Sequence, residues 1–247
     1  MNGRQAILLE MLKATADILD RNGIAYFSAY GTSIGAVRHG GFIPWDDDID
    51  LYVFHEDAER IRQAMARELD TSRYYYHEPS TDLLPHIMFK GDDFLGSLER
   101  RETPFIDLFL LQSRPRGLFR RFLTAPFVWT MILVSVLSGH VGSEPVSRLL
   151  SRAMDAFRRI IRALPEPDSE ALVVYTTRYT NSIYRRSDFD GQVRMPFEDT
   201  EVPLPRNYDR MLRTQYGDYM TPPPEGRRAG ASGFPVGVER DYLKRTR

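Results

Sequence analysis

The sequence contains no cysteine, very little lysine and no excess of charge of either sign. Without cysteine the chain can form neither disulfides nor a thiolate zinc site. Only Lys13, Lys90 and Lys244 are lysines, and the remaining basic residues are arginine. The formal net charge is −1 over 247 residues, which gives no overall field that would attract nucleic acid or an anionic membrane. We therefore expect no nucleic-acid partner.

The first residues also lack the apolar run of a secretory signal peptide, which favours a cytoplasmic location. With 42% hydrophobic residues, the chain can bury a substantial core. We expect one large domain over residues 1–225. The last residues, 226–247, are rich in glycine and arginine and are predicted to form a mobile tail.

Four aspartates crowd five positions and lead directly into an apolar stretch that is typical of a β-strand. They are Asp46, Asp47, Asp48 and Asp50. A strand alternates its side chains between two faces, so Asp46, Asp48 and Asp50 are predicted to share one face while Asp47 points away. Carboxylates this close together raise one another's pKa unless a cation neutralises them. The pattern indicates a divalent-metal site, with a solvated acidic turn as the alternative.

A glycine-rich segment precedes the aspartates. Gly31, Thr32 and Ser33 follow an apolar run over residues 24–30, which is predicted to be the first strand. A glycine at a strand end, followed by small hydroxyl residues, lets backbone N–H groups approach a phosphate closely. Arg38 and His39 add donors that suit phosphate. Together with the Asp-x-Asp pattern, this segment describes a site for a metal and a polyphosphate, as phosphoryl or nucleotidyl transfer requires.

A further carboxylate, Asp107, stands alone in the apolar run 105–111, which is predicted to be a later strand. Burying this charge is costly unless it is paired or bound to a metal. From the residues alone, a salt-bridged core aspartate is an equal alternative. His86 and Lys90 lie on a predicted intervening strand and could reach the phosphates, although a structural histidine and a surface lysine are the simpler interpretation.

Residues 30–50 read Tyr-Gly-Thr-Ser-Ile-Gly-Ala-Val-Arg-His-Gly-Gly-Phe-Ile-Pro-Trp-Asp-Asp-Asp-Ile-Asp, and this segment resembles the signature of the LicD family, bacterial phosphocholine transferases related to fukutin. Val-Pro, Asn-Tyr-Asp and Tyr-Gly-Asp-Tyr-Met between residues 202 and 220 are similar to the family's C-terminal block. One departure is that Tyr30-Gly31 stands where a Gly-Gly pair is common. The resemblance implies an α+β fold, a nucleotidyltransferase-type mixed β-sheet flanked by helices, with a helical insertion near residues 117–165.

The resemblance also implies roles for individual residues. Catalysis would fall to Asp48, Asp50 and Asp107, the last being the third carboxylate of the superfamily. These three, with Asp46, would hold Mg²⁺ or Mn²⁺. The donor phosphates would be bound by Gly31, Thr32, Ser33 and Arg38.

The implied reaction moves a phosphorylated alcohol, such as phosphocholine, from a CDP-activated donor to a sugar hydroxyl. The acceptor would be a cell-surface glycan or lipid-linked saccharide, as in lipopolysaccharide biosynthesis. Two other functions stay open. One is nucleotidyl transfer of NMP to a protein or small molecule, and the other is a non-catalytic, membrane-associated subunit of glycan assembly.

Residues 122–143 contain no Asp, Glu, Lys or Arg, whereas four arginines occur between residues 114 and 121. The most apolar part, residues 126–137, is shorter than the roughly 20 residues that a spanning helix needs. A buried helix, a helix lying in a membrane interface and a true span all remain open. The interfacial alternative would make this segment a peripheral contact with the inner face of the cell membrane.

Overall fold

A computed structural model describes residues 1–78, 84–113, 170–174, 183–228, 230, 235 and 238–246, together with short runs and single residues between 125 and 156. We number the described helices and strands separately, in chain order. The helices are α1 (Gly3–Arg21), α2 (Tyr30–His39), α3 (Ala58–Glu68), α4 (Phe94–Glu99), α5 (Tyr208–Tyr216) and α6 (Val238–Thr246). The strands are β1 (Tyr26–Ser28), β2 (Ile49–Phe54), β3 (Tyr74–His77), β4 (His86–Phe89), β5 (Phe105–Ser113), β6 (Ala171–Val173), β7 (Ile183–Arg185), β8 (Gln192–Phe197) and β9 (Thr200–Pro205).

A mixed sheet forms the centre of the fold, in the order β1-β2-β5-β4-β3. Strands β2 and β5 are parallel, whereas β1 pairs antiparallel with β2, β4 with β5, and β3 with β4. Beyond them, β6 pairs with the end of β5 and β7 pairs with β6, while β8 and β9 form a separate hairpin. The predicted α+β fold with a mixed sheet flanked by helices is confirmed.

The two central strands present different chemistry to their two faces. On β2, Ile49, Leu51 and Val53 are fully buried and pack in one core with residues of α1 and α3. The amphipathic pattern of those helices supplies the matching apolar stripe. The opposite face of β2 begins with Asp50 and continues with Tyr52, which joins an aromatic second core. The sheet therefore carries acidic groups on the face away from α1 and α3.

Helix α2 was not predicted, because its first turn reads as a loop. We predicted a strand over residues 24–30 and a phosphate-binding turn after it, but the strand ends at Ser28 and residues 30–39 are helical. Glycine, threonine and serine have low helix propensity, so local sequence disfavours a helix here. Tertiary packing overrides that preference: a Cβ on Gly35 would lie 2.5 Å from the carbonyl oxygen of Gly41. The helix can pack this closely on the following turn only with glycine at that position.

The C-terminal tail is a second correction. Within the predicted mobile range 226–247, residues 238–246 form helix α6, and Val238 and Asp241 are buried. The ring of Tyr242 contacts those of Tyr75 and Phe94. The composition is tail-like, but apolar residues spaced along α6 dock it against the sheet. Most of the predicted helical insertion at 117–165 lies outside the described residues, where only scattered positions are described, as helix.

Candidate metal and catalytic site

Five aspartates lie at one end of the parallel strand pair. One oxygen each from Asp48, Asp50 and Asp107 lies within 4.8 Å of the other two. Asp46, Asp47 and Asp48 form a second group with the same spacing, so Asp48 belongs to both. Asp50 and Asp107 are directly opposite each other in the β2–β5 register. The structure therefore brings together the carboxylates predicted to bind metal, from segments more than fifty residues apart.

The N-terminus of α1 holds the acidic turn in place. The buried side-chain amide of Gln5 donates to the carbonyl oxygens of Ile43 and Asp46, at 3.2 and 3.0 Å. The Arg4 guanidinium donates to the carbonyl oxygen of Asp47 at 2.7 Å. Sequence analysis missed both residues, because they lie some forty positions from the turn and give no local signal. They fix the backbone from which the first aspartates project.

Helix α2 begins directly beside the carboxylates. A Cβ on Gly31 would lie 2.5 Å from Oδ2 of Asp46, so only glycine leaves that carboxylate its place. The backbone N–H of Gly31 donates to the Asp50 carboxylate. The backbone N–H of Asp50 donates in turn to Oγ1 of Thr32 at 2.9 Å. The N-terminus of α2, where the helix dipole favours negative charge, is thus directed at the acidic group.

Three of the four predicted phosphate ligands have other partners in the structure. The Ser33 hydroxyl donates to the carbonyl oxygen of Ser28 at 2.7 Å, and the Thr32 hydroxyl accepts from Asp50, so both serve to join α2 to the strands. Arg38 lies in the last turn of α2, about 10 Å of helix rise from Gly31. Its guanidinium donates to the carbonyl oxygen of Tyr219 at 2.6 Å. The geometry leaves Gly31 at the carboxylates and places Arg38 at the far end of the helix.

Asp47 is nearer to the site than strand alternation predicted. Strand β2 begins only at Ile49, so residues 46–48 belong to the preceding turn and do not alternate between faces. The Asp47 carboxylate contacts the group formed with Asp46 and Asp48, and Gly230 packs against it. Its assignment to the opposite face was therefore wrong. It remains outside the group that includes Asp50 and Asp107.

The acidic group is electrostatically unfavourable without a counter-ion. Burial and then the charge of Asp47 raise the pKa of Asp46 to about 6. The pKa of Asp48 is raised well above its usual range by burial and by the charge of Asp107. Burial, followed by the charge of Asp48, does the same to the pKa of Asp50. Arg4 partly offsets the repulsion at Asp48. Such a group gains free energy when it binds a cation.

The residues present fit a divalent ion. Mg²⁺ has oxygen ligands at about 2.1 Å, so opposite oxygens in its octahedral shell are about 4.2 Å apart. The carboxylate oxygens of Asp48, Asp50 and Asp107 lie within 4.8 Å of one another, which is compatible with ligands of one ion. Hard carboxylate oxygens are the ligands that Mg²⁺ and Mn²⁺ prefer.

An aromatic wall adjoins the carboxylates on the same face of the sheet. The buried ring of Tyr30 contacts those of Phe109 and Tyr52, with centroids 4.7 and 5.3 Å apart. Tyr30 has φ 40, in the region that favours glycine, and it is the first residue of the Tyr30-Gly31 pair noted above as a departure from Gly-Gly. Such strain costs of order 1–3 kcal/mol. Burial of the ring against two aromatic neighbours offsets this strain.

Comparisons with known proteins identify a family and several relatives. Residues 23–123 match the family described as LicD/FKTN/FKRP, nucleotidyltransferase domain. The chain is 24% identical over 245 residues to lipopolysaccharide cholinephosphotransferase LicD of Haemophilus influenzae, an alignment that covers 90% of this chain and 92% of the relative. It is 33% identical over 110 residues to the ribitol 5-phosphate transferase FKRP of Mus musculus, covering 43% of this chain and 21% of the relative. The resemblance to the LicD family is confirmed.

Among solved structures, terminal uridylyl transferase 4 from Trypanosoma brucei with bound GTP aligns with a TM-score of 0.23 and 13% identity. That alignment covers 51% of this chain and 39% of the uridylyl transferase. In the described part of the chain, no helix combines the length and the apolar character needed to cross a membrane.

Proposed function

We propose that the chain is a metal-dependent LicD-type phosphotransferase that acts on a glycan, because residues 23–123 match the LicD/FKTN/FKRP nucleotidyltransferase domain. The donor would be a CDP-activated alcohol, and the acceptor a sugar hydroxyl of a cell-surface glycan or lipid-linked saccharide. One observation carries the proposal: Asp48, Asp50 and Asp107 gather their oxygens within 4.8 Å at the start of α2.

Three carboxylates, Asp48, Asp50 and Asp107, would hold Mg²⁺ or Mn²⁺, with Asp46 beside them. The bound ion would neutralise charge on the pyrophosphate of the donor and orient it for in-line displacement. The protein supplies a preorganised acidic group: Gln5 and Arg4 fix the turn, and the N–H of Gly31 holds the Asp50 carboxylate. The aromatic wall of Tyr30, Tyr52 and Phe109 limits water on one side, which strengthens electrostatic interactions within the site.

In the transfer step, the acceptor hydroxyl oxygen attacks the phosphorus that bears the alcohol. The new O–P bond forms as the bond to the bridging pyrophosphate oxygen breaks, and CMP leaves with that oxygen. We assign acceptance of the hydroxyl proton to Asp107, whose Oδ1 is already fixed by a hydrogen bond of 2.6 Å to Nδ1 of His86. The names of two relatives, a cholinephosphotransferase and a ribitol 5-phosphate transferase, make choline and ribitol the first alcohols to test.

Thermal shift with CDP-choline, CDP-ribitol and CDP-glycerol, each with Mg²⁺, would select the donor. The protein is then incubated with the selected donor and a lipopolysaccharide-derived oligosaccharide, and the masses of the products are measured by mass spectrometry. The proposal predicts that the acceptor gains the alcohol phosphate and that CMP appears in equal amount. An acceptor that gains NMP would instead establish nucleotidyl transfer.

The non-catalytic alternative makes a different prediction in the same assay. A glycan-assembly subunit without activity of its own would produce no CMP with any donor, and Asp107→Asn would behave as the wild-type chain. The complete carboxylate set argues against this alternative, because burying repelling charges without a cation destabilises a fold.

A further inference from the structure

A row of polar side chains begins at the carboxylates and crosses the sheet towards its edge strand, β3. Asp50 on β2 pairs in register with Asp107 on β5, Asp107 pairs with His86 on β4, and His86 pairs with His77 on β3. Directly paired residues on neighbouring strands project from the same face of a sheet. The four side chains therefore lie side by side across four strands, on the face that carries the site.

The side chains of this row are in contact. Nδ1 of His86 lies 2.6 Å from Oδ1 of Asp107, and the rings of His86 and His77 stack with centroids 5.5 Å apart and planes 15° apart. Nε2 of His77 lies 3.1 Å from Oδ2 of Asp241, which belongs to helix α6. We call His86, His77 and Asp241 the polar row. It joins the third carboxylate of the site to the C-terminal helix.

All three side chains of the polar row are buried, which is unusual for polar residues on a surface helix and at the edge of a sheet. His77 is 0% exposed, His86 2% and Asp241 6%. Buried polar groups cost free energy unless their hydrogen bonds are satisfied, so an apolar row would stabilise the sheet as well or better. Three polar residues from two paired strands and the C-terminal helix form nitrogen-to-oxygen contacts at both ends and a ring stack between them. Such an arrangement indicates a purpose other than packing.

Docking of α6 gives the polar row a fixed end. Val238 belongs to the same buried cluster as Tyr75 and Phe94, and Tyr242 packs on both of these rings. Asp241 is thereby held at the position from which its carboxylate reaches His77. A fixed His77 limits the tilt of the stacked His86 ring, and the His86 ring limits the rotation of the Asp107 carboxylate.

We propose that the polar row positions Asp107 for metal binding, so that His86 acts on this ligand directly and His77 and Asp241 act through His86. The proposal rests on the proposed function in one respect, that Asp107 is a metal ligand. Helix α6 would then support the metal centre through Asp241, although the carboxylate motif itself contains no residue of that helix. Hydrogen-bond partners of metal ligands typically change metal affinity by 10- to 100-fold when they are lost.

The test measures Mn²⁺ binding directly by electron paramagnetic resonance, without substrate. The first pair of variants is His86→Leu and His86→Asn. Leucine removes the donor, whereas the side-chain amide nitrogen of asparagine occupies nearly the place of Nδ1 and can still donate. We expect His86→Leu to weaken Mn²⁺ binding at least about tenfold and His86→Asn to stay within about threefold of the wild-type protein.

The second pair separates the polar row from simple docking of α6. Asp241→Ala removes the contact to His77, and Tyr242→Leu loosens the same helix without touching the row. Both should lower Tm, but only Asp241→Ala should weaken Mn²⁺ binding, by about threefold to tenfold. If Tyr242→Leu weakens binding as much, or if neither His86→Leu nor Asp241→Ala changes it, the row has no positioning role and the proposed function stands unaffected. If the wild-type protein binds no Mn²⁺, both proposals fall.

Discussion

Replacing Asp50 by asparagine should stabilise the metal-free protein while it removes divalent-cation binding. Asp50 is 8% exposed, and its carboxylate lies within 4.8 Å of oxygens of Asp48 and Asp107. Two like charges at that separation repel by about 3.5 kcal/mol at an effective dielectric constant of about 20. The raised pKa values show that the cluster relieves part of this repulsion by holding protons. We therefore expect a net gain of about 1–2 kcal/mol, or about 2–8 °C in Tm for a chain of this length.

The substitution preserves the local hydrogen bonds, so the comparison is clean. The side-chain oxygen of asparagine can still accept from the N–H of Gly31, and the backbone N–H at position 50 still donates to Thr32 at 2.9 Å. Differential scanning fluorimetry would record Tm without metal and with saturating Mg²⁺. For the wild-type protein, Mg²⁺ at 100 times its Kd adds about 2.7 kcal/mol. For Asp50→Asn we expect most of that increase to vanish.

The exposed carboxylate of Asp17, on α1, provides the matched control. Its side chain is 66% exposed and forms an ion pair with Arg21 at the surface. Asp17→Asn should change both melting temperatures by no more than about 2 °C, since exposed ion pairs contribute little. The reasoning is refuted if metal-free Asp50→Asn melts below the wild-type protein, or if Mg²⁺ stabilises both equally.

Three further predictions follow from the site and its surroundings. Gly31→Ala should lower kcat at least about tenfold with little loss of secondary structure, because the alanine Cβ would lie 2.5 Å from the Asp46 carboxylate and displace that carboxylate. An unchanged kcat would contradict this prediction. Raising the pH through about 6 should lower the Tm of the metal-free protein, because the raised pKa of Asp46 makes the folded state bind more protons than the unfolded state. A metal-free Tm that rises between pH 5 and 7 would contradict this prediction. If the apolar segment lies on membranes, joint replacement of the exposed Trp129, Leu133 and Leu137 by serine should reduce flotation of the protein with anionic vesicles. Unchanged flotation of the folded variant would exclude a membrane contact through these side chains.

Local sequence patterns predicted which carboxylates lie together but not the geometry that brings them together. Asp48 and Asp50 were found because charged residues next to an apolar strand form a local pattern. Asp107 was a candidate because a lone charge interrupts an apolar run, and the family resemblance assigned it as the third carboxylate. Their meeting depends on the parallel pairing of β2 with β5, which a single sequence does not encode locally.

Several of the missed features depend on contacts between residues far apart in the sequence. Helix α2 forms although the local helix propensity is low. Arg38 therefore lies at the end of the helix that is far from the carboxylates, and not at the predicted phosphate site. Arg4 and Gln5 hold a turn forty residues away. The polar row needs three strand registers and a C-terminal helix, so Asp241 carries no signal that local sequence reasoning could detect.

Divalent-cation dependence of the transfer reaction is the decisive measurement for the proposed function. Turnover of the selected CDP-alcohol would be measured after exhaustive chelation, and again after Mg²⁺ or Mn²⁺ is restored. We expect wild-type turnover to disappear on chelation and to return with the cation, and we expect Asp50→Asn to be at least about a hundredfold slower than the wild-type protein when the cation is present. Full turnover by the chelated wild-type protein, or near-normal turnover by Asp50→Asn with Mg²⁺, would contradict the proposed function.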